Sequence, residues 1–179
     1  HDTMHASTYP IVLKKLELRP DDCYLDVACG GGKLIAEALK TVDRAAGLDH
    51  SSAAVEAARE SYASEIAEGR LDVREGDAGE MPWEEGTFDA VSIANAMHII
   101  DDPRPLLREA FRVLKPAGRF VLITQAKEPI EGPLWAPLRR GMALYTDAEL
   151  TDMLTNVGFT QVEANATSDT GQPGYGIKA

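Results

Sequence analysis

The residues best suited to chemistry stand where short apolar runs end. Leu25-Asp26-Val27-Ala28 leads straight into Cys29-Gly30-Gly31-Gly32, and residues 33–39 then have helical character. Small or absent side chains at Ala28, Gly30 and Gly32 let a ligand approach the backbone, and the N–H groups at a helix start can face it. A second run closes on Gly47-Leu48-Asp49, which puts a carboxylate beside the glycine turn. Such a carboxylate can accept two charge-assisted hydrogen bonds from a ribose diol, worth about 1.5–3 kcal/mol each, and it repels a ribose phosphate. Asp49 can instead cap the helix that follows, together with Ser51. A third run closes on Gly76-Asp77-Ala78, with Met81-Pro82-Trp83 soon after. There Asp77 can accept from an exocyclic amine, Ala78 can offer its N–H to a ring nitrogen, and Met81 can line the face of a purine. Together the three clusters predict a site for adenosine without a ribose phosphate.

Spacing tests the other nucleotide loops. A Walker loop needs Gly where Val27 stands and Ser or Thr where Leu34 stands, so it is excluded. The dinucleotide fingerprint fits poorly, because Lys33 holds one of its glycine positions and Ala28 another. His5 and His50 show no metal-ligand pattern, and no metal is expected. Cys23 and Cys29 would sit too far apart along one strand to bridge. They are expected to be buried rather than reactive, in a reduced cytoplasmic interior. Arg139 and Arg140 could hold a carboxylate or phosphate, but adjacent cations in a loop usually face solvent.

Placing these clusters at strand ends requires a sheet, and the apolar pattern supplies one. Runs at 23–28, 44–49, 71–74, 88–93 and 119–124 alternate with segments of helical period, the signature of βαβ units and a parallel sheet. Ligands bind at the carboxyl ends of such strands. Residues 52–68 read as one Ala-rich helix with Val55, Ala58, Tyr62 and Ile66 on a stripe. Asp102 and Pro103 read as an N-cap and first helical residue ahead of Leu106, Leu107 and Ala110, and residues 115–118 stop that helix. Thr146 and Glu149 make a capping box ahead of Leu150 and Leu154, and Gly158 takes the left-handed C-terminal position. The last runs, 161–166 and 175–178, are joined by a stretch too short for a helix and should pair antiparallel. The expected architecture is an α/β, Rossmann-like, doubly wound sheet of seven strands, mostly parallel, with an antiparallel C-terminal hairpin. One domain covers 1–179, with residues 1–20 as an N-terminal helix or lid that includes Tyr9, and 125–145 as a substrate-side lid.

The chain has 179 residues, 44% hydrophobic and 26% charged, which fits one soluble globular domain and excludes disordered, collagenous and coiled-coil classes. Its net charge of −11 repels nucleic-acid backbones and anionic lipid. No apolar run is long enough to span a membrane, so neither a membrane nor a nucleic acid is an expected partner.

The order of motifs carries a resemblance. Residues 25–32, then Gly47-Leu48-Asp49-His50-Ser51, Gly76-Asp77-Ala78 with Met81-Pro82, Phe88-Asp89, Asn95-Ala96-Met97-His98 and 109–118 resemble class I S-adenosylmethionine-dependent methyltransferases. The closest flavour is the small-molecule branch that includes the ubiquinone and menaquinone biosynthesis enzymes. The resemblance implies that Ala28, Gly30 and Gly32 hold the methionine part of the cofactor, with Asp26 near its amino group. It implies that Asp49 grips the ribose hydroxyls, that His50 lies over the adenine, and that Asp77 and Ala78 bind the adenine edge. Ala94 and Asn95 would line the wall near the sulfonium. It also implies seven strands with the last antiparallel. The first glycine of the common family turn is Ala28 here, which leaves one methyl group to accommodate.

The implied reaction moves a methyl group from S-adenosylmethionine to a small, partly apolar acceptor by in-line displacement, releasing S-adenosylhomocysteine. A sulfonium carries an activated methyl, so the protein mainly aligns nucleophile, carbon and sulfur, and alignment can contribute about 7–11 kcal/mol. A general base is needed only when the accepting atom must lose a proton, and His98, Asp101 and Tyr145 are the candidates. His98 can equally be a packed histidine holding its loop. The alternative, from a different class, is a non-catalytic cofactor-binding regulator or a subunit of a methyltransferase complex. A companion subunit or a homodimer partner could then supply the rest of the acceptor wall. A DNA amino-methyltransferase is disfavoured, because Ala94-Asn95-Ala96-Met97 lacks the Asn/Asp-Pro-Pro-aromatic turn.

Overall fold

The computed structural model describes residues 8–124, 143–166 and 175–176. Strands β1 (Cys23–Val27), β2 (Arg44–Asp49), β3 (Leu71–Glu75), β4 (Phe88–Ala94) and β5 (Leu114–Ile123) form one sheet. Their order is β3-β2-β1-β4-β5, and every neighbouring pair is parallel. Helices α1 (Tyr9–Leu16), α2 (Lys33–Ala38), α3 (Ser52–Ser61), α4 (Ala63–Ala67), α5 (Arg104–Val113) and α6 (Asp147–Val157) complete the described architecture.

Side-chain alternation decides which layer each strand residue meets. Tyr24, Ala45, Val73, Ala90 and Val121 join the buried cluster built with α1, α2 and α3. Leu25, Leu48, Val91, Ile93 and Phe120 turn the other way, into the cluster built with α5 and α6. Strands covered on both faces are apolar almost throughout, which is why they stand out in the sequence. The chain runs from β1 outward to β3, then crosses back to β4 on the other side of β1. That reversal opens a crevice at the carboxyl ends of β1 and β4, the place where such sheets bind ligands.

Departures from the expected elements have local causes. Residues 52–68 form two helices, separated at Tyr62 (φ −122°, ψ 33°). The Tyr62 ring packs so closely over Gly32 that a Cβ there would lie 3.0 Å from it. Residues 115–118 do not delay the next strand. Leu114 already pairs with Phe88, and Lys115 Nζ is held 2.8 Å from Asp89 Oδ2, so β5 begins directly after α5. The irregularity is absorbed by Ala117 at φ 62° and by a register shift between Phe88 and Ala90. Pro103 is the N-cap of α5 rather than its first residue, and Asp102 Oδ1 accepts from the Arg104 N–H at 3.1 Å. At α6 the capping box forms as expected, and Gly158 closes the helix at φ 122°.

The seven-stranded sheet is corrected to five among the described residues. Strands β6 (Asn165–Ala166) and β7 (Tyr175–Gly176) pair antiparallel in a separate two-stranded ladder. Gln161, where the sixth strand was expected to start, sits at φ 54° and is not extended. The expected turn at 167–174 and most of the 125–145 lid lie outside the described residues, as do 1–7 of the N-terminal lid. Among the described residues, no helix is long and apolar enough to cross a membrane.

Candidate functional site

Loops leaving β1, β2, β3 and β4 meet over the crevice and enclose a cleft of about 520 Å³, a size typical of small-molecule sites. Of the residues singled out in the sequence, Asp26, Ala28, Gly30, Asp49, His50, Asp77, Ala78, Ala94 and Asn95 line it. Asp49 and Asp77, from different strands, therefore face one cavity. Tyr9 of α1 joins them. A second hollow, about 840 Å³, lies around Phe111, residues 115–118 and Phe159, and none of the expected site residues line it.

The turn from β1 to α2 is built on left-handed residues in alternation: Ala28 at φ 59°, Gly30 at 52° and Gly32 at 79°. Glycine meets that demand without steric cost, whereas Ala28 carries a penalty of about 1–2 kcal/mol. A Cβ on Gly30 or Gly31 would meet nothing within 4 Å, so both present bare backbone to the cleft. Gly32 does not line the cleft. It faces Tyr62 and Ala58, and seats α3 against the turn. In β2, a Cβ on Gly47 would lie 2.6 Å from Ile35 Cδ1 and 2.8 Å from Cys29 Sγ, so only glycine lets the turn settle there.

Asp49 bridges two loops. Its Oδ2 accepts from the Gly30 N–H at 2.8 Å and its Oδ1 from the Ser51 N–H at 2.9 Å. The N-cap of α3 is Ser51, whose Oγ accepts from the Ala54 N–H at 3.3 Å, so Asp49 is not the helix cap. Each carboxylate oxygen can accept two bonds, which leaves acceptor capacity facing the cleft. Asp77 is exposed at the rim, steadied by the Gly79 N–H donating to its Oδ1 at 2.7 Å. His50 is exposed too, with Nδ1 3.5 Å from Asp49 Oδ1. Asn95 holds φ 59°, and its Nδ2 donates to Thr8 Oγ1 at 3.1 Å, tying the start of α1 to the end of β4.

Asp26 lies deepest, 3% exposed. Ser92 Oγ donates to its Oδ1 at 2.6 Å, and Tyr24 Oη lies 2.7 Å from Ser92 Oγ. Burial pushes the Asp26 pKa up from 3.8 to about 7; the Ser92 and Tyr24 hydroxyls oppose that rise and the charge of Asp49 adds to it. Burial also pushes the Cys29 thiol far up, helped by Asp26 and Asp49, and raises Cys23. Both thiols are free, Cys29 buried and Cys23 half-buried rather than buried as expected, and the raised pKa of each favours the thiol over the thiolate.

Gly32 apart, four expected residues stand away from the cleft. Met81 belongs to the core: its N–H donates to Glu109 Oε2 at 2.7 Å and its carbonyl accepts from Arg112 Nη2 at 3.0 Å, fastening the loop after β3 to α5. His98 is buried in the short 3-10 turn Met97–Ile99, and its carbonyl accepts from the Ala143 N–H at 2.8 Å. Tyr145 is half-buried against the α5 and α6 core, and burial, with Asp102 and Glu149, raises its phenol pKa, which opposes use as a base. Asp101 is exposed and outside the lining. Sequence reasoning gave no site role to Lys33, Ile99 and Ile100, all of which line the cleft. The available signal was the apolar pair Ile99-Ile100 directly before Asp101-Asp102, outside any helical or strand period. Among the described residues, no group of three or more His, Cys, Asp and Glu could hold a metal ion.

Comparison with known proteins identifies the family and the fold. A family model described as a methyltransferase domain matches residues 25–122. An O-methyltransferase of Pyrenophora dematioidea is 32% identical over 159 residues, which cover 85% of this chain and 59% of that protein. A demethylmenaquinone methyltransferase of Oceanobacillus iheyensis is 27% identical, over 89% of this chain and 78% of its own length. The chain therefore spans from somewhat over half to about four-fifths of these two relatives. The geranyl diphosphate C-methyltransferase of Streptomyces coelicolor shares the fold, with a TM-score of 0.81 at 16% identity over 97% of this chain and 78% of that one. With the family model covering more than half of its length, the chain belongs to the S-adenosylmethionine-dependent methyltransferase domain family.

Proposed function

We propose that the cleft binds S-adenosylmethionine and that the chain transfers its methyl group to a small, partly apolar acceptor by in-line displacement. The observation that carries this reading is the convergence of Asp26, Asp49, Asp77 and the bare Gly30-Gly31 backbone on one cleft. Three carboxylates suit a ligand with two positive centres, a sulfonium and an ammonium, and oppose a phosphorylated one. The solved geranyl diphosphate C-methyltransferase holds S-adenosylhomocysteine, which supports the same cofactor here.

In this reading Ala28, Gly30 and Gly31 accommodate the methionine tail, and Asp26 faces its ammonium. Asp49 accepts from the ribose hydroxyls. Asp77 and Ala78 take the adenine edge, with His50 over the ring. Ala94 and Asn95 wall the sulfonium side. Ile99, 63% exposed, and Ile100 give the mouth an apolar rim for the acceptor. The bound cofactor supplies an activated methyl, and the residues of the chain orient it and keep water away. No base role is assigned to His98 or Tyr145, since neither lines the cleft. The charge of −11 argues for a small molecule over nucleic acid as acceptor.

Equilibrium dialysis with radiolabelled S-adenosylmethionine tests the reading. One equivalent should be retained, displaced by S-adenosylhomocysteine and not by NADH or ATP. No retention, or equal displacement by NADH, overturns it. Turnover is then read as S-adenosylhomocysteine formation across a panel of phenols, quinols and small amines.

A further inference from the structure

Behind the cleft, a row of buried polar side chains links β1 to β4. Asp26 and Ser92 are register partners on β1 and β4, and Tyr24 precedes Asp26 on the same face of its strand. The three therefore stand side by side on the face whose other members form the apolar cluster with α1, α2 and α3. Tyr24 and Ser92 are fully buried, and Asp26 alone among them lines the cleft. When Asp26 is ionised, the single hydroxyl proton of Ser92 goes to Asp26 Oδ1, Tyr24 can donate to Ser92 Oγ, and both hydroxyls favour the carboxylate. The row ends on Asp26, the one member that meets the cleft. Polar groups buried this deeply cost stability that an apolar trio would not.

We propose that Tyr24 and Ser92 are positioning residues that hold Asp26 ready to exchange a proton, so that an ammonium group entering the cleft expels one proton from the Asp26 carboxyl. The inference rests on the S-adenosylmethionine reading and adds the two residues and the proton to it. In the step, the Asp26 O–H bond breaks, its proton leaves to solvent, and the carboxylate then accepts a hydrogen bond from the ligand ammonium. The hydroxyl protons of Ser92 and Tyr24 stay in place. The groups facing Asp26 set the balance. Asp49 at the end of β2 opposes its ionisation, and the neutral Cys29 thiol of the turn leaves it unchanged. Lys33 from α2, His50 after β2 and Tyr9 of α1 complete the titratable lining, together with the exposed Asp77. Burial, which moves Asp26 up to about 7, puts the exchange in the neutral range.

Calorimetric titration of the full chain with S-adenosylhomocysteine, in pairs of buffers with different ionisation heats from pH 5.5 to 8.5, counts the protons released. Close to one should be released near pH 6 and almost none near pH 8.5, with binding about tenfold weaker at pH 6 than at pH 8. Ser92→Ala and Tyr24→Phe should each move the release curve to higher pH, Ser92→Ala further, because each removes support for the carboxylate. A merely structural role would lower the melting temperature and leave the curve where it is. 5′-Methylthioadenosine, which lacks the amino-acid tail, should release none. Wild-type binding without proton release, curves for both variants that superimpose on wild type, or equal release with 5′-methylthioadenosine would each overturn the inference alone. Absence of any binding by the wild type overturns the cofactor reading and this inference with it.

Discussion

Replacing Asp49 by asparagine separates its two roles. In the structure the carboxylate receives the Gly30 and Ser51 N–H groups at 2.8 and 2.9 Å. Asparagine keeps the shape but only one oxygen, so one of those backbone donors loses its acceptor, at about 1–3 kcal/mol of stability. Toward the cleft the loss is different. A carboxylate gripping a ribose diol makes two charge-assisted bonds of about 1.5–3 kcal/mol each; asparagine forfeits the charge on one and the acceptor for the other. Taking about 2–4 kcal/mol for the combined loss, S-adenosylhomocysteine should bind about 30- to 1,000-fold more weakly to Asp49→Asn. Calorimetry measures that factor, and thermal melting followed by circular dichroism measures the stability term separately. 5′-Methylthioadenosine, which keeps the ribose, should lose a similar factor. A variant that melts lower but binds within about threefold of wild type would refute the reasoning and leave Asp49 only as a clasp between the β1 and β2 loops.

Other perturbations follow from the same geometry. Without ligand, stability should fall as pH rises from about 4 to 7, because the folded chain keeps on Asp26 a proton that the unfolded chain releases near 3.8. The gap to about 7 corresponds to about 4 kcal/mol, fully lost above pH 7. Asp26→Asn should remove that dependence and gain on wild type in urea unfolding at pH 8 relative to pH 5; parallel pH profiles for the two proteins count against it. Gly47→Ala should cost about 1–3 kcal/mol by forcing a methyl onto Ile35 and Cys29, and an unchanged melting temperature would contradict the packing account. Gly31→Val, at a position with open space and an ordinary φ, should melt close to wild type while weakening S-adenosylhomocysteine binding; undiminished affinity would show that the shelf is not used.

Much of this arrangement was legible in the sequence, and the gaps have physical reasons. Strands β1, β2, β4 and β5 were readable because burial on both faces leaves nearly continuous apolar runs, and edge strand β3 by the alternation of Leu71 and Val73 with polar residues. Asp49 as a clasp was not, since its contact with Gly30 depends on how the β1 and β2 loops close in space. Spacing also cannot tell a glycine that faces a ligand, as Gly30 does, from one that faces a tyrosine ring, as Gly32 does. The Tyr24, Ser92 and Asp26 row joins residues on different strands, and only the parallel register shows that they meet. Of the C-terminal pieces, Asn165–Ala166 and Tyr175–Gly176 are the pairing residues among those described. Met81 looked like a purine wall but is claimed by the core against α5.

The central claim is that loops from three strands close on one unphosphorylated nucleoside with an amino-acid tail. The most direct measurement is a residue-resolved amide NMR titration with S-adenosylhomocysteine. The amides of Gly30, Gly31, Asp49, His50, Asp77 and Ala78 should shift along a single saturation curve that ends at one equivalent. Shifts confined to one loop, or different curves for the glycine turn and for Asp77 and Ala78, would contradict it.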